Sequence, residues 1–262
     1  TLDTWVSENA GSNVYVLDES LELVGSLEGL APGEQIYSAR FMGERCYLVT
    51  FKKVDPLFTI DLSNPGEPEV LGKLKIPGFS NYLHPYDENI LIGVGKETTE
   101  SEYGDFAWHQ GVKISLFDVS DVEDPMELAK FEIGDRGSNS PALYDHHAFL
   151  FSRERNLLVI PVLEAQIDES DFSGEVPPDF YGDYVYQGAY VFNISEVGID
   201  LRGKVTHIED DSLMKSGYWF SSEFEVKRSL YIEDNLYTIS SGMIKINSLD
   251  NLEEVATVRI GE

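Results

Sequence analysis

The sequence predicts an all-β chain, a β-propeller of four-stranded antiparallel blades with four blades complete and a fifth represented by its strands B, C and D. Three observations carry this. First, a short strand ending on Asp or Asn recurs five times: Val14-Tyr15-Val16-Leu17-Asp18, Phe58-Thr59-Ile60-Asp61, Ser115-Leu116-Phe117-Asp118, Tyr190-Val191-Phe192-Asn193 and Ile244-Lys245-Ile246-Asn247. Second, each is followed by another strand-like run, at 21–27, 69–76, 126–133, 201–208 and 253–260. Third, no long segment repeats its apolar residues every 3.6 positions, which excludes a helical bundle or an α/β barrel.

Each element then follows in order. The terminal Asp or Asn accepts hydrogen bonds from backbone N–H groups two residues on and so starts a tight turn. Upstream of four of these pairs sits another hairpin: 36–42 with 46–51, 82–86 with 90–94, 143–151 with 157–162, and 229–232 with 236–239. The hairpin tips are turn formers, Gly43-Glu44-Arg45, Asp87-Glu88-Asn89, Glu154-Arg155-Asn156 and Glu233-Asp234-Asn235. The unit is therefore A-B-C-D, the make-up of a propeller blade. One domain over 1–262 divides into units at 1–34 (incomplete), 35–79, 80–137, 138–211 and 212–262. Thr4-Trp5-Val6 reads as the B strand of the first unit, whose inner strand is expected from chain upstream or from a second subunit. The chain thus reads as the C-terminal part of something longer. A β-sandwich has the same short strands but does not explain the repeated landmarks.

With 47 Asp and Glu against 19 Lys and Arg, the formal net charge is −28. Such a surface repels phosphate backbones, so no nucleic-acid partner is expected; it suits basic partners, high salt or a calcium-containing medium, or serves solubility alone. No apolar run is long enough for a membrane span. Cys46 is the single cysteine. That leaves no internal disulfide and no cysteine zinc site, and its apolar run, Cys46-Tyr47-Leu48-Val49, reads as core.

Several stretches resemble one family. They are Tyr37-Ser38-Ala39-Arg40-Phe41-Met42-Gly43, Tyr47-Leu48-Val49-Thr50-Phe51, Asp55-Pro56-Leu57-Phe58, Pro77-Gly78-Phe79-Ser80-Asn81-Tyr82-Leu83-His84-Pro85, Lys113-Ile114-Ser115-Leu116-Phe117-Asp118-Val119-Ser120 and Asp145-His146-His147-Ala148-Phe149-Leu150. Over nearly the whole chain these are similar to the secreted C-terminal β-propeller proteins of archaea and bacteria, distant relatives of WD-repeat proteins. The resemblance implies the fold and an extracytoplasmic location. It implies no activity and no catalytic residue.

Loop length then maps function. In a propeller the B–C and D–A connections share one face, and the long ones are 96–110, 164–187 and 209–223. Long loops on a rigid scaffold are where binding resides. They carry Tyr103, Phe106, Trp108 and His109; Phe172, Phe180, Tyr181, Tyr184 and Tyr186; and Tyr218, Trp219 and Phe220, interspersed with Asp and Glu. Aromatics among carboxylates suit protein or glycan contacts, or fold back to pin the loops.

Repeat alignment also places Arg40 and His84 at matching positions, with Asp145, His146 and His147, and then Lys227 and Arg228, near the corresponding place. This predicts a polar ring at the channel mouth, from which Arg40 and Arg228 join Trp108, His109, Tyr181, Tyr184, Tyr186 and Trp219 as candidate ligand-binding residues. His84, Asp145 and His147 are the candidate metal ligands; on a strand, His146 and His147 face opposite ways and cannot share an ion. Other motifs fail. Gly93-Val94-Gly95-Lys96 lacks the remainder of a phosphate loop. Glu169-Ser170-Asp171-Phe172-Ser173-Gly174 has EF-hand-like spacing but Phe180 at the twelfth position, leaving at most a looser calcium loop. Asn193-Ile194-Ser195 is a glycosylation sequon that coincides with the repeated turn. No cofactor is expected. The expectation is a non-enzymatic extracytoplasmic binding module using the loop face. The alternatives are a metal-dependent, hydrolase-like enzyme at the channel mouth and a purely structural cell-envelope component.

Overall fold

A computed structural model describes residues 11–52, 55–102, 104, 106–210, 212, 214 and 219–260. The predicted strand at Thr4-Trp5-Val6 lies outside the described residues, as do Tyr103 and Tyr218. Among the described residues the chain forms strands β1 (Ser12–Leu17), β2 (Leu23–Leu30), β3 (Gln35–Met42), β4 (Arg45–Phe51), β5 (Asp55–Asp61), β6 (Glu69–Ile76), β7 (Phe79–Pro85), β8 (Ile90–Glu100) and β9 (Ala107–Asp118). They continue as β10 (Met126–Ile133), β11 (Leu150–Ser152), β12 (Leu157–Gln166), β13 (Asp183–Ser195), β14 (Gly198–Val205), β15 (Arg228–Ile232), β16 (Asn235–Ile239), β17 (Met243–Ser248) and β18 (Glu254–Arg259). Among the described residues, four sheets are four-stranded, β3–β6, β7–β10, β11–β14 and β15–β18, each pairing strands in chain order, and β1 with β2 makes a two-stranded sheet. No helix among the described residues is long and apolar enough to cross a membrane.

The repeated turn forms as expected at three sites. The carboxylates of Asp18, Asp61 and Asp118 accept from the backbone N–H of Ser20, Ser63 and Ser120 at 2.8–2.9 Å. Asn193 behaves differently: β13 runs through it to Ser195 and closes on Gly198 across a two-residue turn. The hairpin tips need backbone freedom, and Gly43 supplies it with a φ of 59° between β3 and β4.

The third predicted hairpin needs correction. Of 143–151, only 150–151 lie in a strand (β11, Leu150–Ser152); Pro141–Leu143 and His146–Ala148 are 3-10 turns. Pro141 has no N–H for a ladder, Ser140 Oγ caps Ala142 N at 3.1 Å, and Asp145 Oδ1 caps His147 N at 2.9 Å. Local side-chain caps offer the backbone an alternative to the sheet, and here they prevail. The long connections are also partly strand, since β8 extends to Glu100, β9 begins at Ala107, β12 extends to Gln166 and β13 begins at Asp183.

The chain separates into two compact units, 1–109 with 113–130 and 110–112 with 131–262, so the boundary runs within β9 and β10. The first unit buries Tyr47, Val49, Phe51, Leu57, Phe79, Leu83, Leu91 and Phe117 in one cluster. Phe79 is central to its rings, 4.3 Å from Tyr37 and 4.6 Å from Phe51. A second cluster holds Leu30, Cys46, Leu48, Phe58 and Ile60. Cys46 is 1% exposed, and burial pushes its thiol up to about 11, so it is a protonated core residue. The second unit buries Leu157, Val159, Ala189, Val191, Val205, Val226, Leu236 and Leu249. Each Val, Leu, Ile or Phe among them contributes about 1.5–3 kcal/mol when fully withdrawn from water.

Candidate functional site

In the second unit, the connection between β12 and β13 is an ordered frame bearing exposed rings. Its root is tied down at several points. Ile167 N donates to Asp135 Oδ2 at 2.8 Å, Gly182 N donates to the Arg136 carbonyl at 2.8 Å, and Gln110 Nε2 donates to the Pro178 carbonyl at 3.0 Å. The Arg136 guanidinium lies 4.3 Å from the Tyr181 ring centre and donates to its hydroxyl at 3.0 Å. Phe172 and Phe180 meet edge to face at 4.9 Å. Phe180 and Tyr181 nonetheless remain 44% and 49% exposed. Between 164 and 187 there are seven Asp or Glu and no Lys or Arg, so this surface is acidic. The calcium-like stretch within it is a 3-10 turn over Glu169–Asp171 capped by Asp168, whose Oδ1 accepts from Ser170 N and Oγ at 2.9 and 2.6 Å.

Beneath this frame lies a charged cluster that sequence reasoning missed. Glu164, 5% exposed, accepts from the Tyr190 hydroxyl at 2.5 Å and from Lys204 Nζ at 2.8 Å through Oε2, and from Gln166 Nε2 at 2.9 Å through Oε1. Burial alone would raise its carboxyl, but the hydrogen bonds from Lys204, Tyr190 and Gln166 outweigh it and hold the group below the usual carboxylate range. Lys204 Nζ also lies over the rings of Tyr190 and Tyr186, at 4.3 and 4.9 Å. Tyr186 is therefore a wall of this cluster: burial first, then the Glu164 charge, pushes its hydroxyl up. Tyr184, opposite Ala165, is half-buried on the same strand.

Gly188 makes the close approach possible. A Cβ there would lie 2.4 Å from Tyr186 Oη and 2.4 Å from the Val205 carbonyl oxygen. Gly188→Ala is expected to destabilise the protein by about 2 kcal/mol through overpacking, read as a lowered denaturation midpoint in urea. An unchanged midpoint would mean that β13 and β14 part freely.

The connection between β14 and β15 joins this end of the unit. Gln187 Nε2 donates to the Val226 carbonyl at 3.0 Å, Val226 N donates back to Gln187 Oε1 at 2.9 Å, and Thr206 Oγ1 donates to the Gln187 carbonyl at 2.6 Å. Trp219 on this connection is 80% exposed. His207, a residue the sequence did not single out, is 1% exposed, with Nδ1 3.0 Å from Ser240 Oγ and Nε2 2.8 Å from Thr238 Oγ1. It lines a cavity of ≈ 300 Å³ with Glu209, Asp210, Ser222, Phe224, Met243 and Arg259.

The remaining predicted residues divide between the units. In the first, Trp108 packs edge to face on Phe106 at 4.9 Å, while His109 rests on Phe79 at 4.8 Å and so joins the aromatic core from its rim. His84 Nδ1 faces the Tyr82 hydroxyl at 3.0 Å. Burial, and then the nearby Arg40 charge, holds this imidazole down at about 4, so it is neutral at pH 7. In the second unit, Asp145, His146 and His147 do come together, and Arg228 Nη2 donates to Asp145 Oδ2 at 3.3 Å. The strand argument that separated the two histidines fails because they sit in a 3-10 turn, with rings 4.0 Å apart.

A family model described as a beta propeller domain matches residues 1–252. An uncharacterized protein of Methanocaldococcus jannaschii is 34% identical over 259 residues, which is 98% of this chain and 34% of that protein. An uncharacterized protein of Archaeoglobus fulgidus is 32% identical over 249 residues, 95% of this chain and 32% of that protein. The chain thus spans about a third of the length of these relatives. Among solved structures, the WD40 domain of SCAP from fission yeast aligns with a TM-score of 0.43 at 12% identity, over 97% of this chain and 54% of that one.

Proposed function

Because this chain belongs to the beta propeller domain family, we propose that it serves as a non-enzymatic, extracytoplasmic binding module. Its four four-stranded sheets act as blades, and the β1–β2 sheet is part of a fifth. Recognition is assigned to the connections at 96–110, 164–187 and 209–223. The observation that carries the reading is the β12–β13 connection, where Phe180 and Tyr181 stay exposed on a root fixed by Asp135, Arg136 and Gln110. A fixed root limits the entropy lost on docking, and exposed rings in an acidic setting suit a partner with Lys or Arg on its surface, or a glycan. Extracytoplasmic placement is supported by the resemblance to secreted propeller proteins.

The test is to replace 168–181 by a short Gly-Ser linker and compare pull-downs from the native cell envelope. Partners lost from the shortened protein, at unchanged thermal melting, are the expected result, and capture of charged partners should weaken as salt rises. An unchanged partner set would overturn the proposal. Cell fractionation that finds the protein in the cytoplasm would overturn its location.

A further inference from the structure

We propose that Asp145, His146 and His147 form a surface site for one divalent transition-metal ion of the zinc class. The three residues offer one ligand atom each, all within 4.8 Å of one another. What brings them together is the local fold. Ser140 and Pro141 start one 3-10 turn and Asp145 caps the next, so β11 begins only at Leu150 and two consecutive imidazoles project side by side. Their rings lie 4.0 Å apart with planes 33° from parallel. Two imidazoles and a carboxylate are a borderline donor set that suits zinc, nickel or cobalt. The same set suits calcium poorly, because calcium takes six to eight oxygens.

The carboxylate is held for this task. Arg228 Nη2 is 3.3 Å from Asp145 Oδ2, while Oδ1 accepts from the His147 backbone N–H at 2.9 Å and lies 2.7 Å from His147 Nδ1, a hydrogen bond that an ion must displace unless His147 binds it through Nε2. Such outer partners orient metal ligands in known sites. Metal–ligand bonds of about 2.1 Å on a tetrahedral ion place ligand atoms roughly 3.4 Å apart, so the widest spacing must close by roughly an ångström and a half. His147 and Asp145 side chains are 58% and 43% exposed and His146 is exposed, so side-chain rotation supplies this without moving the backbone. With three donors from the protein, the ion retains positions for water or for a donor on a binding partner. The site uses none of the residues in the three long connections, so it stands or falls separately from the binding reading.

The test uses chelator-treated, tag-free protein titrated with zinc by calorimetry and with cobalt by visible absorption. The expected result is uptake of one ion per chain, weakened about tenfold or more by His146→Ala or by His147→Ala, and lost in the double variant. Urea melts of the variants should match the parent, since the imidazoles are exposed. Absence of saturable uptake would overturn the proposal, as would uptake that survives in the double variant.

Discussion

Lys204→Met is expected to lower the stability of the protein by about 3 kcal/mol at pH 7, because it strands a buried carboxylate. Glu164 is 5% exposed, and Lys204 is the cation that meets it, at 2.8 Å. The substitution keeps most of the apolar stem that lies against Tyr186 and Tyr190, so what is lost is the charge and its hydrogen bond. Tyr190 and Gln166 still donate to the carboxylate but cannot neutralise it. The pH dependence identifies the cause. In the parent, Glu164 titrates below its unfolded value. Its contribution is therefore present above the unfolded carboxylate range and is lost as pH falls through the folded value. In the variant the carboxyl takes up a proton at higher pH, which relieves the stranded charge, so the gap between parent and variant narrows in acid. Urea denaturation at pH 7 and pH 4 reads both effects. The double variant Glu164→Gln with Lys204→Met should recover part of the loss. A single variant as stable as the parent at pH 7 would show that water reaches Glu164 freely.

The same arrangement recurs in the first unit. Glu97 is the eighth residue of β8, as Glu164 is the eighth residue of β12. Lys113, 4% exposed, lies 3.4 Å from Glu97 and 3.2 Å from Glu127, and its Nζ donates to the Pro77 carbonyl at 2.8 Å. Two consecutive four-stranded sheets thus place a glutamate at the same distance along the second strand and neutralise it with a lysine from a later strand. In the first sheet Glu97 meets lysines on both the third strand, Lys113 of β9, and the fourth, Lys130 of β10 at 3.6 Å, and in the other Glu164 meets Lys204 of the fourth strand, β14. The position of the glutamate is repeated while its set of partners is not, since among the described residues Glu97 has two lysines and Glu164 one, so aligning the strands does not expose the pairing.

That contrast describes what the sequence makes legible. Strands and turns are written locally, in alternating apolar residues and in an Asp two residues ahead of a Ser, so the sheet order follows from Asp18, Asp61 and Asp118 and the runs beside them. Spacing reads the extensions of β8 and β12 as loops because Thr98, Thr99 and Glu100 in one, and Glu164 and Gln166 in the other, carry no apolar alternation, although the strands continue to Glu100 and Gln166. Spacing reads the turn at 145–148 as strand because capping by Ser140 and Asp145 is a contest between local bonds and a ladder that spacing does not decide. The Glu164 cluster and His207 were missed for a different reason. Lys204 is forty residues from Glu164, and Ser240 and Thr238 are 33 and 31 residues from His207. Only the sheet brings them together.

Acid is expected to destabilise the second unit through His207. Burial, and then the Lys245 charge, holds this imidazole down at about 4, with Glu254 opposing. Thr238 Oγ1 lies 3.4 Å from the Lys245 carbonyl, and Ser240 Oγ lies 3.1 Å from that of Met243. The longer contact is the one that yields, so in the neutral ring Thr238 donates to Nε2 while Nδ1–H donates to Ser240. The sign follows from linkage. A folded-state value below the unfolded one, about 6.5 for histidine, means that the unfolded chain binds the proton first. Stability is therefore complete above pH 6.5 and declines as pH falls toward 4, by about 3 kcal/mol in all for this one group. His84, half-buried in the first unit and also held down at about 4, tilts the same way. The carboxylates contribute to any acid transition, so the comparison that isolates His207 is with His207→Gln. That variant should be less stable at pH 7, having lost the ring's contacts with both hydroxyls, yet it should show a flatter profile between pH 6.5 and 4. Parallel profiles for the two proteins would overturn the assignment, as would a His207 ring resonance that titrates with a midpoint near 6.5 in the folded state.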